Sequence, residues 1–428
     1  MSLDHSVRKE ILTVLVLSLG FGLVGLDRFL VSTMFPVIAK SLKLGYADIG
    51  VITGALAIAW GVASLFMGNL SDRFGRRIVL TGSLVLFSLV IGASGFAAGL
   101  GGLVAVRVVM GLADGAYTPA SIIATREASA PRRHGLNMGI QLMMLPLCGL
   151  GLAPLIVAFL LDFIDWRGVF FVFVVPGLLL ALAMWRLIPP GSARREHAGQ
   201  GGMHGHGHAP GLVGDWFTVL RQRNIAIGSL SILCWMTCLI TTSAFLPNYL
   251  LDHLGLDFTA MSSVMAAIGL GSMLGSLFLP YLSDRIGRKR VMVMAAAGSL
   301  VCLLALSQAG PQVAILFALL LGVHFFNNAL ITMTVGPICA ESVPLALMAT
   351  ASGLVIAVGE IFGGGIAPMI VGLIARDFGI DAILWLPIAL TSLGTMLCLF
   401  LVETGPVHGA GRATARTGDI GQAEAGAA

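Results

Sequence analysis

Long apolar runs alternate with short polar turns along almost the whole chain. Each run is long enough to cross a bilayer of about 30 Å, which takes about 20 helical residues. The pattern therefore predicts an all-α membrane protein with twelve transmembrane helices, six in each half of the chain. The predicted helices lie near residues 11–35, 46–68, 79–99, 103–125, 137–160, 168–188, 225–250, 259–281, 291–309, 312–338, 347–373 and 380–402.

Two stretches lack this apolar pattern and divide the chain. Residues 189–224 are rich in Gly, Pro, His and Arg, which predicts a flexible linker. We expect an N-terminal six-helix bundle in residues 1–188 and a C-terminal one in residues 225–403. The Gly- and Ala-rich residues 404–428 are expected to form a disordered tail.

A charged turn occurs twice, at residues 68–77 and 280–289, almost half the chain length apart. Asp72 and Asp284 occupy the same place in the two copies, and each is followed by Arg, Gly and more basic residues. A repeat with this spacing predicts two homologous halves.

Composition supports a membrane protein. Hydrophobic residues make up 57% of the chain and charged residues 11%, whereas soluble domains have roughly 45–50% and 25%. A soluble protein of this length could not cover its surface with so few charges. The basic residues of the loops fall mostly on one side, the exceptions being Lys40, Lys43, Arg167 and Arg376. By the positive-inside rule we expect a multi-pass inner-membrane (plasma-membrane) protein with both termini cytoplasmic.

The charged turns bring acids and arginines together at helix ends, where they can form a network that closes one face. We predict that Asp72 and Glu127 hold Arg73, Arg76 and Arg126 in the first half. The other interpretation is a basic loop that only orients the protein in the membrane.

The second half offers the same chemistry. There we predict that Asp284 and Glu341 hold Arg285 and Arg288. The paired acids favour a gate over a purely topogenic loop in both halves, because basic residues alone would be enough to orient the chain.

The first turn resembles the loop signature of the major facilitator superfamily, G-x-x-x-D-[RK]-x-G-[RK]-[RK]. The residues that match are Gly68, Asp72, Arg73, Gly75, Arg76 and Arg77. The second copy has Pro280 in place of the first glycine. The resemblance implies two pseudo-symmetric six-helix bundles around a central cavity, working by alternating access.

Charged residues inside predicted membrane helices are costly and by default functional. Asp27 and Arg28 lie in the first predicted helix, Arg107 and Asp114 in the fourth, and Glu360 in the eleventh. Arg107 lies near the end of its helix, where it could reach the interface or brace the helix.

These residues carry the predicted chemistry. Burial favours the neutral form of a carboxyl group and a nearby guanidinium favours the charged form, so Asp27 and Asp114 could load and release protons. Arg28 could hold an anion through its planar fork. Glu360 could be a further proton site or a partner for Arg28. In the alternative interpretation, Asp27 and Arg28 neutralise one another or other helices permanently.

Further polar positions lie in the second half. Asn327 and Asn328 could bind substrate hydroxyls, although hydrogen bonding between helices is an equal alternative. His324 is expected to be a hydrogen-bonded core residue. Tyr249 is a candidate substrate contact.

Several stretches resemble the anion:cation symporter family of organic-anion transporters. They are the Asp27-Arg28 pair, the fourth-helix run from Arg107 to Pro119, and the run from Phe245 to Leu250 that contains Tyr249. The resemblance implies a proton-coupled importer of carboxylates. Arg28 would bind the anion, and Asp27 and Asp114 would carry the protons.

Two other functions stay open. A proton-driven drug exporter would show G-x-x-x-G-P-x-x-G-G in the fifth helix, but Ala153 replaces one of these glycines and the final pair is absent. A receptor that no longer transports is disfavoured by the charged turns in both halves. Uptake, efflux or the absence of any flux would separate the three.

No phosphate loop and no nucleophile–base group is recognisable, so no enzyme, cofactor or nucleic-acid partner is expected. The histidine run 204–208 could bind Zn or Ni, but a solvated linker is expected there, and the six cysteines lack metal-ligand spacing. The expected partners are a small-molecule substrate, protons and the lipid bilayer, and the expected state is a monomer.

Overall fold

The computed structural model describes residues 2–74, 76–130, 133–188, 213–344 and 347–404. Within these ranges the chain is almost entirely helical and contains no strand. Twelve helices are long and apolar enough to span a membrane, which confirms the predicted number and fold class. They are numbered α1 (Ser2–Leu42), α2 (Tyr46–Phe74), α3 (Arg76–Ser94), α4 (Leu100–Ala128), α5 (134–161), α6 (Trp166–Leu187), α7 (Arg223–His253), α8 (Phe258–Ile286), α9 (Arg288–Leu306), α10 (Val313–Ser342), α11 (348–378) and α12 (Ile380–Leu399).

The ends of the helices differ from the prediction most clearly in α1. This helix runs from Ser2 to Leu42, whereas the apolar pattern predicted residues 11–35. Polar residues can extend a helix beyond the bilayer, so hydropathy marks the membrane-buried part of a helix and not its ends. Lys43 follows in a left-handed conformation, with φ of 56°, and ends α1.

A short helix, Val213–Leu220, lies inside the stretch predicted to be a linker without secondary structure. It packs against α7 and α11. Val219 is fully buried while Phe217 is exposed. The predicted linker thus contains a packed helix at these residues, which the sequence did not indicate because so short an apolar face is not recognisable against a Gly-rich background. The histidine run 204–208 lies outside the described residues.

Four of the spans contain π-helical turns: Leu147–Leu152 in α5, Tyr249–His253 in α7, Thr334–Ile338 in α10 and Gly359–Ile366 in α11. Each contains or lies close to a proline, which has no backbone N–H and disturbs the regular hydrogen-bond ladder. The prolines are Pro146, Pro247, Pro337 and Pro368. Such turns often occur at functional sites.

The two halves pack together through glycines where α2 meets α11. A Cβ atom on Gly54 would lie 2.6 Å from the carbonyl oxygen of Gly365, and one on Gly372 would lie 3.0 Å from the Cα of Ala47. Only glycine permits this approach, which brings two helix backbones into contact. A hydrogen bond of 3.0 Å from the Tyr46 hydroxyl to Asp252 Oδ2 joins α2 to α7 at the same end.

A second contact between the halves joins α5 to α8. Gly151 and Gly269 face each other there, and a Cβ on Gly151 would lie 3.6 Å from the Cα of Gly269. The end of the molecule with Tyr46 and Asp252 is called the distal face below. The end where α1 begins and α12 stops is called the terminal face. The contact between α2 and α11 lies on the distal side of the molecule.

Candidate functional site

Five buried charged side chains meet between α1, α4 and α11: Asp27, Arg28, Arg107, Asp114 and Glu360. Asp27 and Asp114 have no exposed surface. The carboxylate of Asp114 lies within electrostatic reach of the other four charges. The structure thus brings together all of the intramembrane charges that the sequence singled out, although they come from both halves of the chain.

Arg28 forms a two-pronged ion pair with Glu360. Its Nη2 lies 2.6 Å from Glu360 Oε2 and its Nη1 lies 3.1 Å from Oε1. The two side chains are 8% and 10% exposed, so the pair is shielded from water. Of the two roles predicted for Glu360, the structure shows that of partner to Arg28.

An aromatic ring supports the Arg28 guanidinium. Its central carbon lies 4.4 Å from the centroid of the Trp60 ring, within the range of a cation–π interaction. The glycines of α4 determine where Trp60 lies, because Gly111 and Gly115 let α4 approach the α2 backbone at Trp60. Sequence reasoning missed Trp60, since an aromatic residue in an apolar run looks like an ordinary core residue.

Arg107 braces α1 against α4. Its Nη1 donates a hydrogen bond of 3.0 Å to the carbonyl oxygen of Asp27, and the side chain is buried. It therefore makes the bracing contact that was one of its two predicted roles. Its Nε and Nη2 atoms make no hydrogen bond with the described residues.

The carboxylates of Asp27 and Asp114 lack donors. All four of their oxygens are buried, and none accepts a hydrogen bond from the residues that the structure describes. A buried charge without hydrogen bonds is strongly unfavourable. Gain or loss of a proton by either side chain would therefore strongly change the electrostatic energy of the site.

A small cavity lies beside Arg28. Its volume of about 10 Å³ is room for about one water molecule. An organic anion does not fit there unless the helices move. Its lining residues come from α1, α2, α4 and α7 and are Arg28, Phe29, Val31, Ser32, Ile52, Thr53, Leu56, Arg107, Ile240 and Ala244.

The predicted substrate contacts on α7 and α10 lie elsewhere. Asn327 Nδ2 donates to the Trp235 carbonyl oxygen at 3.1 Å, and Asn328 Nδ2 donates to Ser276 Oγ at 2.5 Å. Both amides thus form the interhelical hydrogen bonds named as the alternative. Tyr249 is buried, with its ring stacked on His253 at 5.0 Å between centroids.

His324 fits the expectation of a core residue. It is fully buried, and its Nε2 lies 3.1 Å from the hydroxyl of Thr242 on α7. It lies within the C-terminal half, and the described lining of the Arg28 cavity does not include it.

The first charged turn is described only in part. An ion pair joins Arg76, at the start of α3, to Glu127, at the end of α4, as predicted. Arg126 is exposed. Gly68, Asp72 and Arg73 lie in the last turns of α2, but their side chains, like Gly75, are outside the described residues.

The second charged turn contains an arginine held by two acids. Arg288 Nη2 lies 2.6 Å from Asp284 Oδ1 and 2.9 Å from Glu341 Oε1. Arg285 differs from the prediction, because it donates to the Tyr281 hydroxyl at 2.5 Å one turn earlier on the same helix. The ion pairs of the two turns each lie within one half of the molecule.

The sequence of this chain matches the model of the Major Facilitator Superfamily over residues 17–364 and again over 242–422. The chain belongs to the major facilitator superfamily. The sequence-based assignment and the fold of two six-helix bundles are thereby confirmed. The chain is a multi-pass inner-membrane transport protein.

Relatives within the superfamily include organic-acid transporters. The sialic acid transporter NanX of Escherichia coli is 25% identical, over 86% of this chain and 88% of its own. The gentisate transporter of Corynebacterium glutamicum is 27% identical, over 84% of this chain and 80% of its own. Among solved structures, the nucleoside transporter NupG superposes with a TM-score of 0.75 at 15% identity, covering 91% of this chain and 99% of that one. The structural similarity supports the fold.

Sequence reasoning also missed two acids at the terminal face. Glu403 accepts hydrogen bonds from the backbone N–H groups of Arg288 and Lys289, at 2.7 and 3.2 Å, and so caps the start of α9. Glu10 on α1 pairs with Arg133 at 2.7 Å. Both lie just outside the apolar runs, where nothing in the local pattern distinguishes them from solvated charges.

The last described residues, Val402 to Thr404, join the start of α7, the start of α9 and the end of α10. The Asn224 side chain, at the start of α7, exchanges hydrogen bonds of 2.9 and 3.0 Å with the backbone of Val402. Thr404 donates to Glu341 Oε2 at 2.7 Å, next to the Arg288 ion pair. This set of contacts, from Val402 to Thr404, is called the C-terminal clasp.

Proposed function

We propose that this member of the major facilitator superfamily is a proton-coupled symporter that imports a small organic anion, a carboxylate or a sugar acid. The observation that carries the proposal is the pair of fully buried carboxylates, Asp27 and Asp114, that accept no hydrogen bond from the described residues. They lie beside two buried guanidinium groups, Arg28 and Arg107.

The proton role follows from the surroundings of the two acids. A charged carboxylate without donors is unstable in a low-dielectric interior, whereas the protonated form loses little there. Water reaching the site would stabilise the charged form. Opening the site to one side of the membrane and then to the other would therefore let Asp27 and Asp114 bind and release protons.

The substrate role of Arg28 follows from the ion pair it already makes. Its two-pronged contact with the Glu360 carboxylate supports a role in binding the carboxylate of a substrate. The relatives that transport sialic acid and gentisate, both of which are carboxylic acids, support this substrate class.

Alternating access would use the contacts at the two faces. The α2–α11 glycine contact closes the distal face, and the Arg76–Glu127 and Arg288–Glu341 pairs are candidates to close the terminal face in turn. We place the terminal face in the cytoplasm because its loops carry most of the basic residues, and we propose that the monomer is the transporting unit.

Uptake by purified protein in liposomes tests the proposal. With labelled gentisate or sialic acid outside, an inward proton gradient should raise the initial rate of uptake several-fold. The double variant Asp27→Asn with Asp114→Asn should lose this stimulation, because neither amide can titrate. Asp257→Asn serves as a matched control, since Asp257 caps α8 outside the site.

Uptake by the wild type that ignores the proton gradient would contradict proton coupling. Energy-dependent loss of a cationic dye from cells, without carboxylate uptake, would instead support an exporter. The absence of flux for every solute would leave a receptor as the better interpretation.

A further inference from the structure

The ion pair between Arg28 and Glu360 occupies the surface that a substrate anion would need. Both terminal nitrogens of the guanidinium face the Glu360 carboxylate, and Trp60 covers part of the group. A planar fork binds one carboxylate at a time in this way. A substrate that binds Arg28 through the same fork must therefore first displace Glu360.

The pair also connects the two halves of the molecule. Arg28 lies on α1 of the N-terminal half and Glu360 on α11 of the C-terminal half. A Cβ atom on Gly61 of α2 would lie 3.2 Å from the Cβ of Glu360, so the acid is held closely against the opposite half. Displacement of Glu360 would remove an attraction at the centre of the interface.

The position of Glu360 in α11 lets it move. It lies in the π-helical turn Gly359–Ile366, next to three consecutive glycines, Gly363, Gly364 and Gly365. π-helical turns lack the regular ladder of an α-helix, and glycines leave room for backbone shifts. The Glu360 carboxylate can thus move away from Arg28 through a local change in the π-helical turn, while the rest of α11 keeps its conformation.

A transporter that imports solute must return empty. During that return Arg28 would face a closed cavity without a substrate anion, and an uncompensated charge there is strongly unfavourable. In the structure the cavity beside Arg28 has room for about one water molecule, and Arg28 is neutralised by Glu360.

We propose that Glu360 is a built-in substitute for the substrate carboxylate: it competes with the substrate for Arg28, and it neutralises Arg28 when the empty carrier changes sides. This inference rests on the proposed binding of an organic anion at Arg28. Glu360 would thus have two roles. It would neutralise Arg28 while the empty carrier returns, and by competing for Arg28 it would set the affinity of the carrier for the substrate anion.

Two kinds of transport measurement distinguish the role of Glu360 in the return of the empty carrier from its competition with the substrate. Net uptake into empty liposomes needs the return of the empty carrier, whereas exchange of labelled for unlabelled solute needs only the loaded carrier. We would measure both with gentisate and with sialic acid, at equal pH on both sides, for the wild type and Glu360→Gln. The amide keeps the size of the side chain and removes its charge.

Glu360→Gln should bind the transported acid at least about tenfold more tightly, because a charge-assisted competitor is gone. Its net uptake should fall at least about tenfold relative to exchange, since the empty carrier now carries an unpaired Arg28. Glu360→Asp should recover part of the net uptake. Asp252→Asn, which weakens another contact between the halves, at Tyr46, should keep the wild-type ratio of net uptake to exchange.

If Glu360→Gln loses net uptake and exchange equally and its affinity for the acid is unchanged, the role of Glu360 proposed here is wrong. Flux of the acid by the wild type would still support the proposed function. Absence of flux in the wild type and in the variant, for both acids, would overturn the two together. A selective loss of net uptake in Glu360→Gln, together with tighter binding of the acid, would support the proposed role of Glu360.

Discussion

At the scale of single residues, the site is an arrangement of charges that compensate each other incompletely. Arg28 has a carboxylate partner and an aromatic support, whereas the carboxylates of Asp27 and Asp114 accept no hydrogen bond from the described residues. This difference is the basis for proposing that the arginine binds the anion and that the two aspartates exchange protons. The guanidinium is suited to its role by shape as well as by charge.

Arg28→Lys tests whether shape matters. Lysine keeps the positive charge but has no planar fork and a more localised charge over Trp60. Loss of one charge-assisted hydrogen bond should weaken binding of gentisate or sialic acid about tenfold or more. Thermal stabilisation of the purified protein by increasing concentrations of each acid gives the affinity.

Arg285→Lys is the comparison for that experiment, because Arg285 is exposed at the terminal face and bonds only to Tyr281 among the described residues. Equal affinity of wild type and Arg28→Lys would show that Arg28 does not hold the anion through its fork.

At the scale of elements, contact between helices depends on glycine. The α2–α11 and α5–α8 contacts are equivalent pairs in the two-fold arrangement of the halves, and glycine lines both. Helix packing in membranes relies on such small residues because there is no hydrophobic driving force between helices in lipid. In the proposed alternating access, these contacts would limit how readily the distal face opens.

Gly54→Ala should open the distal face. The added Cβ would lie 2.6 Å from the Gly365 carbonyl oxygen, and a backbone atom cannot move aside as a flexible side chain can. With Thr53→Cys as a reporter in the Arg28 cavity, a membrane-impermeant maleimide added on the distal side should react several-fold faster.

Gly82→Ala on α3 is the matched control, because a Cβ there would meet no atom within 4 Å. An unchanged labelling rate in Gly54→Ala, equal to that of the control, would show that this contact does not limit opening.

The elements also show which features of the structure can be predicted from the sequence. Apolar runs gave the twelve spans, because the bilayer imposes a length that hydropathy reports directly. The repeat predicted the Arg76–Glu127 and Arg288–Glu341 pairs, since each lies within one half. The Arg28–Glu360 pair joins residues 332 positions apart in different halves. Glu360 was considered as a partner for Arg28, but no local pattern decides between that role and a proton site.

The roles of other residues could not be predicted from the sequence for a different reason. Trp60 and Glu403 have ordinary local surroundings in the sequence, an apolar run and a polar tail, and gain their roles only from what the fold places against them. Asn327 and Asn328 were candidates for binding and for interhelical bonding alike, and only coordinates separate the two.

At the scale of the whole molecule, each charged turn forms an ion pair at the terminal face, and each of these two pairs lies within one half. Arg76 pairs with Glu127 in the first, and Arg288 with Glu341 in the second. Neither pair shares a residue with the other. Contacts that do join the halves include the glycine contacts, the Arg28–Glu360 pair and the Tyr46–Asp252 hydrogen bond.

Glu127→Gln and Glu341→Gln should therefore act independently. Each should lower the free energy of unfolding by about 1 kcal/mol, because both acids are partly exposed and solvent weakens the pairs. Effects of distant, unconnected sites usually add within about 0.5 kcal/mol. Thermal unfolding of the single variants and the double variant in detergent should thus give shifts in Tm that add. A double variant with a clearly larger or smaller shift would show that the two ion pairs are linked.

The C-terminal clasp has a mechanical consequence. Val402 is bonded to Asn224, Glu403 to the first N–H groups of α9, and Thr404 to Glu341. The starts of α7 and α9 and the ends of α10 and α12 are thereby tied into one plate at the terminal face. In the alternating access proposed above, these four helix ends would turn together, so a domain fused behind Thr404 would pull on all four helices and not on α12 alone.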